Sequence, residues 1–222
     1  MFAIMQFLFL LMSKQTMKWY SVDTFDFLVV RTIVTLAVHT LFVLYYGKNI
    51  YEAPDMNKWI IFRNVGGVVA SGSQAFAISL MPITLYQIIY NTTPFMASIL
   101  SFVLLKERIK LHEGFAMMIS FMLIILLAQT RQQSTQMEGS NIGLGIFLAL
   151  TCAFGASIKA VTTRRMQDVH FSVLMFHYTL FQMVVILFPL AYMLLFKSSQ
   201  VLSYSPAVYG HMVLSSLPNA FG

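Results

Sequence analysis

The sequence predicts an all-α, polytopic membrane protein, and three observations predict it. Hydrophobic residues make up 58% of the 222-residue chain and charged residues 10%, against about 25% charged in ordinary soluble domains. The apolar residues fall in successive runs, several of them long enough to cross a bilayer, which takes about 20 residues. One run, Ile83 to Leu105, carries no Asp, Glu, Lys or Arg, yet holds Asn91-Thr92-Thr93 and Pro94 near its centre. A proline removes a backbone donor and clashes with the carbonyl four residues back. In lipid the freed group must be met by a neighbouring helix or by water in a cavity. This span is therefore expected to kink and to line a pathway.

Taken in order, Met1 to Met12 is apolar from the first residue. No basic stretch precedes it and no small-residue cleavage site follows, so it reads as a first helix whose beginning is missing, not as a signal peptide. Phe25 to Tyr46 is the second span, with Arg31, Thr35 and His39 at i, i+4 and i+8 on one face. Gly47 to Asn57 is a polar loop. Lys58 to Met81 is the third span, and its Gly66, Gly67, Ala70, Ser71 and Gly72 permit close helix approach. The proline-centred fourth span follows at Pro82 with almost no loop and stops at Lys106-Glu107-Arg108. Leu111 to Gln129, rich in Met, Ile and Leu, is the fifth and is expected to face lipid. Thr130 to Ser140 has the composition of a linker. Ile142 to Thr163 is the sixth span, with Gly145, Ala149, Ala153 and Ala156 as a small packing face. Phe171 to Phe196 is the seventh, and Pro206 starts an eighth.

The stretch from Pro82 through Thr93-Pro94 to Leu104-Leu105-Lys106-Glu107-Arg108-Ile109 and Glu113-Gly114 resembles the end of an EamA domain. That domain belongs to the drug/metabolite transporter superfamily, whose eukaryotic branches include nucleotide-sugar and triose-phosphate carriers. The resemblance implies two inverted repeats of five helices with a substrate cavity between them. On that plan residues 1–129 form a first repeat with a clipped first helix, 130–141 a linker, and 142–222 an incomplete second repeat. About eight transmembrane segments of an expected ten would be present.

An internal offset can be tested on the residues themselves. Shifting the chain by 146 residues lays Met1–Tyr46 on Phe147–Tyr192, with identities at Thr16/Thr162, Phe25/Phe171, Leu28/Leu174, Val38/Val184, Leu41/Leu187, Phe42/Phe188, Leu44/Leu190 and Tyr46/Tyr192. Five helices per repeat is an odd number, so a second copy enters the membrane upside down, as in many secondary carriers. With the N-terminus in the cytosol, nine Lys and Arg fall on or near the inner side and five on the outer, which favours that orientation. By the same offset Gly222 lands on Phe76, within the third span, so the chain is expected to be incomplete as a carrier.

Charged residues inside spans are functional candidates. Arg31, Arg63 and Lys159 each lie about five or six residues from a helix end, roughly 8–9 Å, so snorkelling to the interface competes with lining a cavity. His39 and His177 are candidate protonation switches, set against neutral packing histidines. Polar uncharged residues supply the larger cavity set. Gln87, Asn91, Pro94 and Ser98 share one face of the fourth helix, with Tyr86, Tyr90 and Thr93 beside them. Arg63, Gly67, Ser71 and Gln74 do the same on the third. These residue types also serve as interhelical glue. Tyr178 and Gln182 join His177 on the seventh helix. Lys106-Glu107-Arg108 marks the membrane interface, and Glu113 suits the positive end of a helix dipole.

No Asp or Glu lies deep in a span, since Asp26 and Glu113 sit at helix starts. A proton-driven exporter of cations needs a buried carboxylate, whereas interior cations complement a carboxylate or phosphate on a solute. The expected function is transport of a small polar, anionic metabolite, with membrane lipids as surroundings and no cofactor. A homodimer is compatible with the sequence. The alternative is a truncated paralogue acting as a scaffold or regulator. A seven-helix receptor lacks its Asp-Arg-Tyr and Asn-Pro-x-x-Tyr signatures, and no hydrolase, HExxH or phosphate-loop pattern supports an enzyme. The single Cys152 lies in an apolar span and reads as a packing residue, which gives neither disulfide nor zinc site. The net charge of +6 reads as loop bias, not as a nucleic-acid footprint. Reporter tags in the 130–140 linker are expected outside the cytosol and tags at 48–57 inside it; one side for both would remove the inverted topology.

Overall fold

The computed structural model describes residues 2–49, 57–106, 141–196 and 204–220, with 114, 115, 118, 119, 122 and 126 between them. In chain order the helices with defined ends are α1 (Phe2–Trp19), α2 (Thr24–Tyr46), α3 (Asn57–Leu80), α4 (Ile83–Tyr90), α5 (Thr93–Leu105), α6 (Ile142–Arg165), α7 (Phe171–Phe196) and α8 (Pro206–Ala220). Among the described residues four spans are long and apolar enough to cross a membrane: Thr24–Tyr46, Ile83–Leu105, Ile142–Arg165 and Phe171–Tyr192.

The second, third, sixth and seventh expected spans keep their bounds to within about two residues as helices, the fourth is divided in two, and the first runs longer. α1 runs on past Met12 to Trp19, and the hydroxyls of Ser13 and Thr16 are satisfied within the helix. Ser13 Oγ donates to Phe9 O at 2.6 Å and Thr16 Oγ1 to Met12 O at 2.9 Å, and both side chains are buried. A hydroxyl bonded to the carbonyl four residues back presents mainly carbon to its neighbours. Of the fifth span, Phe115, Met118, Ile119, Met122 and Leu126 are helical and exposed. The 130–140 linker, most of the 47–57 loop and Glu107 to Glu113 lie outside the described residues.

The described helices form two compact units. The first contains α1, α2, α7 and α8. α2 begins at Asp23, whose side chain accepts from Phe25 N at 2.8 Å, and ends at Gly47, which takes a left-handed φ of 57°. That conformation suits glycine and turns the backbone N–H groups of residues 47 and 48 onto Leu44 O and Val43 O. α2 lies antiparallel to α7. Thr32 meets Gln182 near one end, His39 meets Thr179 further along, and the Tyr46 ring packs edge-on against Phe171 at the other end. α8 packs on both α1 and α2. The turn ahead of it carries Tyr204, whose hydroxyl donates to Asp26 Oδ2 at 2.9 Å. Burial first, and then this bond, push the Tyr204 hydroxyl above the ordinary tyrosine range. Asp26 is thus a buried carboxylate, 4% exposed, although the sequence places it in the first turn of its helix.

The second unit contains α3, α4, α5 and α6. α3 and α6 cross antiparallel at backbone distance. A Cβ added to Gly155 would sit 2.6 Å from Gly66 O and 2.9 Å from Ala70 N, and one added to Gly66 would sit 2.7 Å from Ile158 Cγ2. Toward the end of α3, Gly145 gives the same closeness to Met81 and Leu80. The small face of α6 is therefore Gly145, Ala149, Cys152, Ala153 and Gly155, all buried, while Ala156 is half-buried. Gly72, grouped by sequence with the contact glycines of α3, has no atom within 4 Å of an added Cβ and takes no part.

These two glycines predict opposite responses. Gly155→Ala forces α3 and α6 apart and is expected to lower stability by about 1–3 kcal/mol, the usual range for overpacking. Gly72→Ala is expected to be neutral or to gain up to about 1 kcal/mol from helix propensity. Thermal unfolding of both variants in the same detergent checks the contrast.

Candidate functional site

The expected candidates divide between the two units. Arg31, His39 and His177 belong to the first, and Arg63, Ser71, Gln74, Tyr86, Gln87, Tyr90, Asn91, Thr93, Pro94 and Lys159 to the second.

In the first unit these side chains are occupied by packing. Arg31 is 3% exposed and its guanidinium lies 4.6 Å from the centroid of the Phe9 ring on α1, a cation–π contact. Thr35 on the same face turns its hydroxyl back to Arg31 O. His39, 4% exposed, has Nδ1 3.4 Å from Thr179 Oγ1. Thr179 Oγ1 also lies 3.0 Å from Met175 O and 3.1 Å from Phe176 O on its own helix. His177 Nδ1 lies 2.8 Å from Val173 O, one turn earlier on its own helix.

The second unit gathers the longer polar track. At one end Arg63, 1% exposed, donates from Nε to Thr163 Oγ1 at 3.0 Å. The Thr163 proton goes to the carbonyl of half-buried Lys159. Nearer the other end of α3, Gln74 hydrogen-bonds the hydroxyl of Tyr86, which is fully buried and lies 3.3 Å from Cys152 Sγ on α6. Tyr86 stacks on Tyr90, centroids 5.7 Å apart and planes 22° apart. Ser71 spends its hydroxyl on Val68 O within α3. Cys152, read from sequence as a packing residue, is buried and also touches a polar atom.

The fourth span does not run as one kinked helix. It is interrupted at Asn91-Thr92, where Thr92 N bonds Ile89 O, a tighter three-residue step. Pro94 has no N–H for Tyr90 O. The Thr93 hydroxyl supplies that bond instead, and Thr92 Oγ1 covers Ile89 O at 2.7 Å. Ser157 on α6 donates to Thr93 O at 3.0 Å while also bonding Ala153 O at 2.7 Å. Beyond the break the polar face remains on the surface of the unit. Asn91 and Pro94 are exposed, and Gln87 Nε2 donates to Asn91 Oδ1 at 3.3 Å.

Sequence reasoning missed Ser157 and Thr163, the α6 residues that answer Thr93 and Arg63. The available signal was their place on the small, hydroxyl-bearing face of α6, within one turn of Ala153 and Lys159. Two serines now make a paired test. Ser157→Ala removes a bond to the break and is expected to lower stability by about 1 kcal/mol. Ser101, 4% exposed on α5, has no partner for its hydroxyl among the described residues. Ser101→Ala is expected to be neutral or stabilising, because the unmet desolvation cost of the hydroxyl disappears. Melting temperatures of the two variants decide it.

A search of curated proteins finds no significant match. A profile of the EamA-like transporter family matches residues 3–129. The match takes in α1 to α5, including the interrupted fourth span and its polar face. It extends over more than half of the chain, which therefore belongs to the EamA-like transporter family.

Proposed function

We propose that the chain acts as a secondary carrier for a small polar, anionic metabolite, working by alternating access. The observation that carries this reading is the polar face Gln87–Asn91–Pro94–Ser98, set at the midpoint of an otherwise apolar span and partly exposed on its unit. Amide and hydroxyl groups at that depth are costly against lipid. A solute pathway gives them polar company, and membership of a transporter family makes that pathway the natural occupant. The anionic preference is supported by charge. Arg63 and Lys159 lie within α3 and α6, and α3 to α6 contain no Asp or Glu.

The inverted-repeat arrangement is part of the same proposal, and helix packing inside each unit supports it. Under the offset of 146 residues α6 is the counterpart of α1, and α8 of α3. α1 packs on α8, with Tyr20 and His211 rings 5.1 Å apart joining the end of one to the first turns of the other. The counterpart pair, α6 and α3, is joined in the same sense by Thr163 and Arg63. α2 and α7, the counterparts of each other, lie antiparallel around Thr35 and Phe181, which are offset partners.

Asn91→Leu is expected to abolish solute exchange in liposomes while leaving membrane insertion and expression unchanged. Undiminished exchange by the variant would return Asn91 to a packing role and remove the main support for the carrier reading.

A further inference from the structure

α3 buries its polar residues and exposes apolar ones. Arg63, Asn64, Ser71 and Gln74 are buried, while Phe62, Val65, Val69 and Phe76 are exposed. Lys58, also exposed, stands on the same face, because positions 58, 62, 65, 69 and 76 follow i, i+4, i+7, i+11 and i+18 spacing. Phe62 to Val69 covers about 11 Å along the axis, less than the roughly 15 Å of hydrocarbon in one leaflet. An apolar stripe of that length, with a cation at its end, matches a lipid chain below its headgroup.

Two further cations emerge at the same end of the second unit. Arg63 meets Thr163, so antiparallel α3 and α6 set Arg164 and Arg165 about 5 Å from Lys58 along the axis. Both arginines are exposed in the last turn of α6. Half-buried Trp59 follows Lys58, and tryptophan is enriched at the level of lipid headgroups. Among the described residues the second unit contains no Asp or Glu, so the three cations have no carboxylate partner within it. Asp168, the nearest acid in sequence, belongs to the first unit and is exposed.

We propose that this end of the second unit is a docking surface for an anionic phospholipid. Lys58, Arg164 and Arg165 hold the headgroup phosphate by charge-assisted hydrogen bonds, and Phe62, Val65 and Val69 carry an acyl chain. The surface shares the orientation of the proposed carrier, which puts the start of α3 and the end of α6 at the cytosolic leaflet, where anionic lipids give a negative surface potential. It requires nothing of the solute. The two arginines also suit the negative end of the α6 dipole, a role that by itself leaves the choice of lipid untouched.

Native mass spectrometry of the full chain in detergent, offered equal amounts of phosphatidylglycerol and phosphatidylcholine, reads the choice. Phosphatidylglycerol is expected to be retained at least about tenfold better. The preference should fall as salt is raised, because exposed charges are screened. Lys58→Gln, Arg164→Gln and Arg165→Gln together should abolish it, and Arg164→Lys with Arg165→Lys should keep most of it. Lys18→Gln, which removes an exposed cation from the first unit, should leave it unchanged. If the glutamine variant fails to fold, the salt series and the lysine variant decide. Equal retention of the two lipids, a preference indifferent to salt, or one that survives the glutamine changes would overturn the surface. Glycerophosphoglycerol, the same headgroup without acyl chains, should not displace the lipid at equal concentration; displacement would assign the cations to a soluble anion and overturn the lipid. Headgroup choice without solute exchange in liposomes would keep the surface and reject the carrier, and exchange without choice would do the reverse.

Discussion

Lipid offers no hydrogen bonds, so every polar backbone group in these spans must find its partner inside the protein. Pro94 makes that constraint acute, because it deletes a donor at the middle of a span. The chain meets it locally and then from a neighbour. The Thr93 hydroxyl answers Tyr90 O, the Thr92 hydroxyl answers Ile89 O, and Ser157 reaches across from α6 to Thr93 O. The Asn91-Thr92-Thr93 cluster therefore has two uses. Its threonines complete the backbone, and its asparagine is left facing outward beside Gln87.

The same constraint explains how so many hydroxyl residues are tolerated. Ser13, Thr16, Thr32, Thr35, Thr40 and Thr162 each bond a carbonyl four residues back. Once the proton is spent within the helix, the oxygen keeps lone pairs for a partner. Gln182 uses Thr32 in this way and Arg63 uses Thr163. Polar glue between helices is thus built on back-bonded hydroxyls, without leaving a donor unmet.

The two units are held by different balances of force. In the second, glycine and alanine bring α3 and α6 to backbone contact, where many weak dispersion contacts accumulate. In the first, side chains do more of the joining: a cation–π contact from Arg31 to Phe9, and polar pairs between α2 and α7. Arg31 and Arg63 each reach sideways to a neighbouring helix within their own unit.

The sequence by itself determined the class, several helices to within a few residues, and the presence of a polar face beside a mid-span proline. Hydropathy, proline chemistry and helical spacing are local properties, so they can be read from the chain. It also carried the motif that the family match bears out. Tertiary structure alone decided which small residues touch, since Gly72 and Gly155 are alike in sequence and only one faces another backbone. It decided that α1 continues through Ser13 and Thr16, and that the arginines point sideways. It also buried Asp26, because its partner Tyr204 is distant in sequence and meets it only when α8 packs on α2. Partner identity depends on which helix faces are brought together, and spacing along one helix does not contain that information.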